Sequence, residues 1–405
     1  MTRERTTDLL ILGALWLVVF STASQVMILA PILPRIGEAL HLDQALGGTL
    51  MTAYAIPMAL SSLVAGPLSD RIGRRRILLL GTLAMSLALF AHALVTSYAT
   101  FLAARALAGA CGGLLSGAAV SYVGDWFPSH KRGRASGWVM SGMSFGQIAG
   151  IPAGAWLAEH MGFQAPFLLF GVTLGASFLL ALGWVPQPPV TRDGSRLSFA
   201  AMFRSYATLL RRREVAAAAA VYFFMFGSVT VYVTYLPSWI EAHLHVGGQA
   251  VALMYLVGGT VNVLASPLAG AASDRLGRKP LIVTSTLALA CLTAAVPWAV
   301  STMLAAHVVF AITMALVAMR ISPLQALLTQ LVPSERRGSL MSLTVSLGQA
   351  GIAIGSAVAG AAYGRWGFVS NTTVSSVLLL VVAALVATQL PEPRLEPAPH
   401  APPTR

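Results

Sequence analysis

A dozen stretches of some twenty apolar residues, divided by short charged clusters, run almost end to end through this chain. A bilayer core takes about 20 apolar residues per helical span, so each stretch is long enough to cross one. No sizeable soluble domain is left over. Only 10% of the 405 residues are charged, where a soluble domain carries about a quarter. The spans are expected near 9–33, 45–67, 77–96, 99–124, 136–158 and 165–186, then 215–240, 247–269, 280–299, 302–330, 339–362 and 368–390. The first is too long for a signal-peptide core and lacks a small-residue cleavage site, so it reads as a retained helix. The chain is therefore expected to be an all-α membrane protein with twelve transmembrane helices.

The basic residues orient it. With the N-terminus inside, one face collects Arg3 and Arg5, Arg71 to Arg76, Lys131 to Arg134, Arg192 to Arg213, Arg275 to Lys279, Arg336 and Arg337, and Arg394 with Arg405. Of the 26 basic residues, only Arg35 and Arg365 fall on the other face, and Arg105 and Arg320 lie within spans. That asymmetry is the positive-inside pattern, which predicts cytoplasmic termini in a bacterial-type inner membrane. The net charge of +12 then reads as a topology signal and a contact for anionic lipid headgroups, with no nucleic-acid partner implied. Cys111 and Cys291 both sit in apolar stretches, where they read as small buried hydrophobes rather than a disulfide or metal site.

Two motifs repeat at nearly one offset. Residues 66–76 read GPLSDRIGRRR, and residues 270–280, 204 positions later, read GAASDRLGRKP. The run from Trp126 to Phe163, beginning WFPSHKRGR and ending EHMGF, aligns 205 positions on with Leu331 to Phe368, beginning LVPSERRGS and ending GRWGF. The halves are homologous six-helix bundles, residues 1–186 and 215–390, joined by a cytoplasmic linker at 187–214 and followed by a disordered tail at 391–405. Six is even, so both copies share one orientation and their pseudo-twofold axis runs along the membrane normal.

GPLSDRIGRRR between the second and third spans resembles the loop signature of the major facilitator superfamily, and in particular that of its twelve-helix drug:proton antiporters. The resemblance implies the major facilitator fold: two pseudo-symmetric six-helix bundles. It also implies a conformational-switch role for Gly66, Asp70, Arg71, Gly73, Arg74 and Asp125, and for Asp274, Arg275, Gly277 and Arg278 in the second copy. On physical grounds Gly66 and Gly73 permit close helix approach and a tight turn, and Asp70 can cap the third span and pair with Arg71 or Arg74. Asp125, at the cytoplasmic end of the fourth span, is a further partner. In the fifth span Gly142, Gly146, Gly150 and Gly154 recur every fourth residue and form a smooth face, with Pro152 adding a kink. GQIAGIPAG resembles the antiporter signature of exporters, although Ile151 separates the glycine from the proline. Gly351, Gly355 and Ala359 form a matching face in the eleventh span, which suggests symmetric interfaces between the halves.

Arg105 lies about two turns from the outer face. A charge there costs roughly 3 kcal/mol or more on insertion scales, so it lines a cavity or has a partner; it also aligns with the family's helix-4 arginine, implicated in coupling. The repeat does not echo it, since the aligned residue is Phe310. Arg320, the other buried charge, is followed by Pro323 and Gln325, and both substrate contact and stabilisation of the helix kink are open to it. All 14 acidic residues fall at loops or helix ends. A pocket with buried arginines and no buried acid favours uncharged, anionic or amphipathic substrates over organic cations. The expected pocket, near the midplane between the halves, draws on Gln25, Tyr54, Arg105, Gln147, Tyr222, Phe226, Asn262, Arg320 and Gln349. Tyr232, Tyr235 and Trp239 are expected as an interfacial belt or a gate.

The reading is a secondary transporter of the efflux and multidrug-resistance type that exports a small molecule by alternating access in exchange for protons. No cofactor beyond the proton gradient is implied. Proton carriers could be His92 and His307, near outer span ends, or the Asp70 and Asp125 network. Uptake or facilitated diffusion of a sugar or organic acid on the same fold is the alternative, because fold does not set direction. An enzyme is not indicated: no histidine cluster has metal spacing, no loop cradles phosphate, and no serine has an arranged base. One chain is sufficient for the fold, so a monomer is expected.

Overall fold

The computed structural model describes residues 3–188, 199–331 and 337–391, and every regular element among them is helical. The first half comprises α1 (Arg3–Met27) and α2 (Leu29–Leu40), α3 (Gly47–Ile72), α4 (Arg74–Phe90), α5 (Tyr98–Leu115) and α6 (Ala118–Trp126), α7 (Ser129–Phe145) and α8 (Ile151–Met161), and α9 (Ala165–Trp184). A helix within the linker, α10 (Phe199–Leu210), precedes α11 (Arg213–Val233) and α12 (Leu236–Leu244), α13 (Gly248–Leu276), α14 (Arg278–Ala299), α15 (Met303–Leu331), α16 (Arg337–Trp366) and α17 (Phe368–Gln389). Paired where the chain only bends, these are twelve spans.

Eleven of them are long and apolar enough to cross a membrane on composition alone. The exception is the fifth. Its α7 begins with exposed Lys131, Arg132 and Arg134, and a five-residue π turn, Gly146–Gly150, separates it from α8. Pro152 sits in the first turn of α8. A proline has no N–H for the carbonyl four residues back, and its ring crowds that turn, so the helix widens locally instead of continuing. The fourth span breaks at Gly117, whose φ of 74° suits glycine.

The repeat is visible as repeated packing. α1 lies against α9 and α7, as α11 lies against α17 and α16; α3 lies against α5 as α13 lies against α15; α4 lies against α9 as α14 lies against α17. Even the loop chemistry repeats. Arg75 donates from Nε to Val185 O (2.6 Å) and from Nη2 to Leu182 O (2.8 Å), tying off the last carbonyls of α9. Lys279, its counterpart 204 positions on, donates to Leu390 O at the end of α17 (3.0 Å). A cation at a helix C-terminus satisfies orphan carbonyls and opposes the dipole.

The glycine faces correct one expectation. A Cβ at Gly142 would lie 2.7 Å from Trp16 O, and one at Gly150 would overlap Ser24 of the same half. In the second half a Cβ at Gly351 would overlap the Phe223 carbonyl, and one at Gly355 would lie 2.7 Å from Gly227 O. The two faces are symmetric, but each seals its span to the first helix of its own bundle rather than joining the halves. Gly66 is also corrected: a Cβ there meets open space, so no close approach depends on it. Cys111 is buried as expected, whereas Cys291 is exposed on the outer side of α14. The linker is not merely hydrophilic. Tyr206 and Leu209 of α10 are buried, and Tyr206 Oη donates to Leu63 O of α3 (3.1 Å). Residues 189–198, 332–336 and 392–405, with the basic residues and tail assigned to them, lie outside the described residues.

The halves meet along two seams, α3 on α16, and α13 on α8 and the π turn. Gly48 N donates to Tyr235 Oη (2.8 Å), Thr52 Oγ1 to Ala353 O (2.7 Å) and Ser346 Oγ to Ala59 O (2.8 Å). These bonds run from the end of the bundle remote from the termini to mid-span. Toward the termini, α7 is buried only along Ala135, Val139, Gly142 and Gly146, with Trp138, Met140, Met143 and Phe145 exposed.

Gly351→Leu should cost about 1–3 kcal/mol of overpacking and lower the melting temperature of the purified protein. Gly66→Ala should leave it unchanged or slightly higher. Equal effects at both positions would contradict the packing described.

Candidate functional site

The centre of the first half is organised by the close approach of α3 to α5. α5 starts at a capping box in which Ser97 and Thr100 satisfy each other's backbone amides. Two turns on stands Arg105, followed by the small residues of ALAGACGG. A Cβ at Gly109 would overlap the Tyr54 carbonyl, one at Gly112 the Tyr54 hydroxyl, and one at Gly113 the Ser61 hydroxyl. Those glycines let Tyr54 lie flat against α5, which brings its ring under the arginine.

Gln25 of α1 completes the group. Arg105 Nη1 donates to Gln25 Oε1 (3.0 Å), and Gln25 Nε2 donates to Tyr54 Oη (2.9 Å). The Arg105 guanidinium carbon stands 4.4 Å from the centre of the Tyr54 ring and 5.7 Å from that of Phe167. Arg105 is only 1% exposed, and Gln25 is fully buried. Among the described residues no carboxylate takes part, so the cation is held by one charge-assisted hydrogen bond, worth about 1.5–3 kcal/mol, and by ring faces, worth about 2 kcal/mol when desolvated. Its Nε has no partner. The sequence pointed to these three residues separately; the fold places them in one network. It also adds Phe167 and the glycines of α5, for which the run of small residues after Arg105 was the available signal.

His92 belongs to the same neighbourhood. It is fully buried, its ring stacks 4.3 Å from Phe167, and Nδ1 donates to Ala88 O (3.0 Å), leaving Nε2 as an unpaired acceptor. His307 makes the same bond within its own helix, Nδ1 to Met303 O (2.7 Å).

The remaining nominated residues are dispersed. Gln147, in the π turn, lies across the seam from α13, where a Cβ at Gly259 would come within 3.1 Å of it. Tyr222 and Phe226 share one face of α11 with ring centres 5.8 Å apart, and Gln349 is half-buried on α16. Asn262 turns away from the seam to donate to Met314 O within its own half (3.0 Å). Arg320 is 1% exposed inside the second bundle, apart from the Arg105 network. Tyr232 and Tyr235 are both 2% exposed, which excludes an interfacial belt for them. Tyr235 stacks 4.5 Å from Tyr363 and bonds Gly48 across the seam. Beyond it lies a cleft of about 570 Å³ lined by Arg35, Glu38, Asp43, Ser238 and Glu241. The sequence listed these acids as loop residues and missed that they gather at one mouth.

At the other end, the signature loop is built as a turn and an ion pair. Gly73 has φ of 100° and Gly277 has φ of 90°, values that favour glycine, and Gly73 itself occupies the cap position of α4. Arg74 donates from Nε to Asp125 Oδ2 (2.7 Å) and from Nη1 to Ser69 Oγ (2.9 Å), tying the start of α4 to α6 and α3. Arg71 and Arg275 are exposed. The side chains of Asp70 and Asp274 lie outside the described residues.

The model of the Major Facilitator Superfamily matches residues 15–319 and 218–405. The Uncharacterized MFS-type transporter YceJ of Bacillus subtilis (strain 168) is 25% identical over 356 residues, covering 87% of this chain and 90% of that one. Multidrug resistance protein MdtG of Klebsiella pneumoniae (strain 342) is 25% identical over 283 residues, 67% of each chain. Among solved structures, the D-xylose-proton symporter superposes with a TM-score of 0.78 at 18% identity, covering 96% of this chain and 99% of that chain. That likeness is one of fold.

Replacing Arg105 with Met should leave a folded protein, since an apolar residue relieves a buried charge, yet lower transport in proteoliposomes by about tenfold or more, the equivalent of ~1.4 kcal/mol. Tyr54→Phe keeps the ring under the guanidinium and should cost only about 1 kcal/mol of stability. Separately, Asp125→Asn should impair transport, and exchanging the charges at positions 74 and 125 should restore part of it.

Proposed function

Because the chain belongs to the major facilitator superfamily, we propose that it exports a small neutral, anionic or amphipathic molecule by alternating access, in exchange for protons. It is a multi-pass membrane transporter and not an enzyme. The observation that carries the substrate class is the Gln25–Tyr54–Arg105 network: a buried cation held by neutral partners, with no carboxylate at mid-span among the described residues. A site of that kind repels an organic cation and offers a guanidinium to an anion or to the polar end of an amphipath.

Two further observations support the transport cycle. The basic loops support an orientation with cytoplasmic termini in a bacterial-type inner membrane. On that orientation the seam bonds at Gly48, Thr52 and Tyr235 lie toward the outer side, and the basic start of α7 and end of α13 lie toward the cytoplasm, where an exporter loads. Rocking the halves would then open the Tyr235 gate into the outer cleft and close the Arg74–Asp125 end. Export is favoured by the helix with Gly146, Gly150 and Pro152, which resembles the exporter signature, and by likeness to a protein named for multidrug resistance. The Asp125 and Asp70 region is the proposed coupling element. One chain is sufficient for the cycle.

Everted vesicles separate these readings. With an imposed pH gradient the wild type should accumulate a neutral or anionic amphipathic dye but not ethidium, and collapsing the gradient should abolish accumulation. Robust ethidium transport would sink the substrate class; counterflow indifferent to the gradient would point to a facilitator. Gln25→Glu, which sets a carboxylate beside Arg105, should weaken transport of the anionic dye more than that of the neutral one.

A further inference from the structure

Three buried side chains of the second half, Tyr255, Thr286 and Arg320, carry polar atoms without partners, and none takes part in the network around Arg105. Arg320 is 1% exposed, and its Nε and Nη1 find no acceptor among the described residues. Thr286 is fully buried, and its Oγ1 also has no partner. The second fact is unusual for its helix. Thr284, Ser285 and Thr293 of α14 each donate back to the carbonyl four residues earlier, at 2.9, 2.6 and 2.9 Å. Thr286 alone of these hydroxyl groups leaves that local bond unmade.

The two lie at one level. α14 and α15 are consecutive spans and therefore antiparallel. Ile282 clusters with Leu324, Leu327 and Leu328, and Leu289 and Ala290 cluster with Val317. Thr286 is midway between the first pair of α14 levels, and Arg320 is midway between the corresponding levels of α15. Thr286 also shares the buried face of α14 with Ile282, Leu289, Ala290 and Thr293. The kink does not account for the arginine: Pro323 frees a carbonyl one turn back, yet Nε and Nη1 are not donating to it.

We propose that Arg320 and Thr286 form a binding site for a small monovalent anion, a halide or a carboxylate, inside the second half. A fixed positive charge with N–H and O–H donors and no carboxylate repels cations. A water would satisfy the donors but leave the charge uncompensated in a medium where that is costly. An anion meets both demands at once, through charge-assisted bonds from the guanidinium fork and a hydroxyl donor. The site is separate from the Arg105 network and does not depend on the direction of transport.

The test uses the purified full-length protein, with chloride or acetate replacing gluconate at constant ionic strength. Its melting temperature should rise with one of these anions and saturate, because a ligand of the native state raises stability. A response to chloride assigns a solvent halide; a response confined to acetate assigns a carboxylate, as a transported acid would bring. Arg320→Met should abolish the response and melt no lower than the anion-free wild type, and Thr286→Val should raise the half-saturating concentration several-fold. No saturable response to either anion overturns the proposal, as does an undiminished response in Arg320→Met. If that variant is not recovered folded, an unchanged half-saturation in both Thr286→Val and Arg320→Lys overturns it as well.

Discussion

In hydrocarbon, two helices gain nothing by hiding apolar side chains from water, so a bundle coheres where backbones approach closely and polar groups find partners. Several contacts that define this molecule are of that kind. Gly142 and Gly150 bring α7 and the π turn onto α1, Gly351 and Gly355 bring α16 onto α11, and Gly109 and Gly113 bring α5 onto α3. At the seam between the halves, Gly48 and Thr52 meet the backbone of α16 without an intervening side chain. Within a half these contacts are continuous and make a rigid body. Between halves the seam bonds run from Gly48 and Tyr235 at one end to Ala59 and Ser346 at mid-span, and the proposed rocking would have to break and remake them.

The same solvent sets the terms for charge. A buried arginine persists only if something repays its lost hydration, and the two in this chain are treated differently. Arg105 is given Gln25 and two ring faces, a neutral cradle that leaves its positive field uncancelled. Arg320 is left with two unpaired nitrogens. Among the described residues, by contrast, no acid lies at mid-span. Asp125 pairs with Arg74 at one end, and Glu38, Asp43 and Glu241 line the cleft at the other. The interior is electropositive while both entrances carry carboxylates.

Much of this was legible before any coordinates. The spans, their number and the 6+6 repeat follow from the length of apolar runs and from a motif recurring 204 positions on, because a bilayer fixes span length and an even repeat fixes relative orientation. The repeat even carries side-chain roles, as Arg75 and Lys279 show. Gln25, Tyr54 and Arg105 were recognisable as polar groups in apolar surroundings, and Gly73 and Gly277 as turn residues.

What a glycine or a polar residue faces was not legible, since spacing along a helix gives a face but not its neighbour. The Gly351 face was expected between the halves and is instead internal to one; Asn262 was expected at the pocket and instead serves Met314; Tyr235 lies buried at the seam rather than in a belt. Sequence alone therefore determined the span count, the repeat and the kinds of residue that stay polar in the membrane, because these depend on local composition against a fixed solvent. Only the tertiary structure decided which of those residues meet, because rotation of each helix about its axis is set by packing against partners distant in the chain.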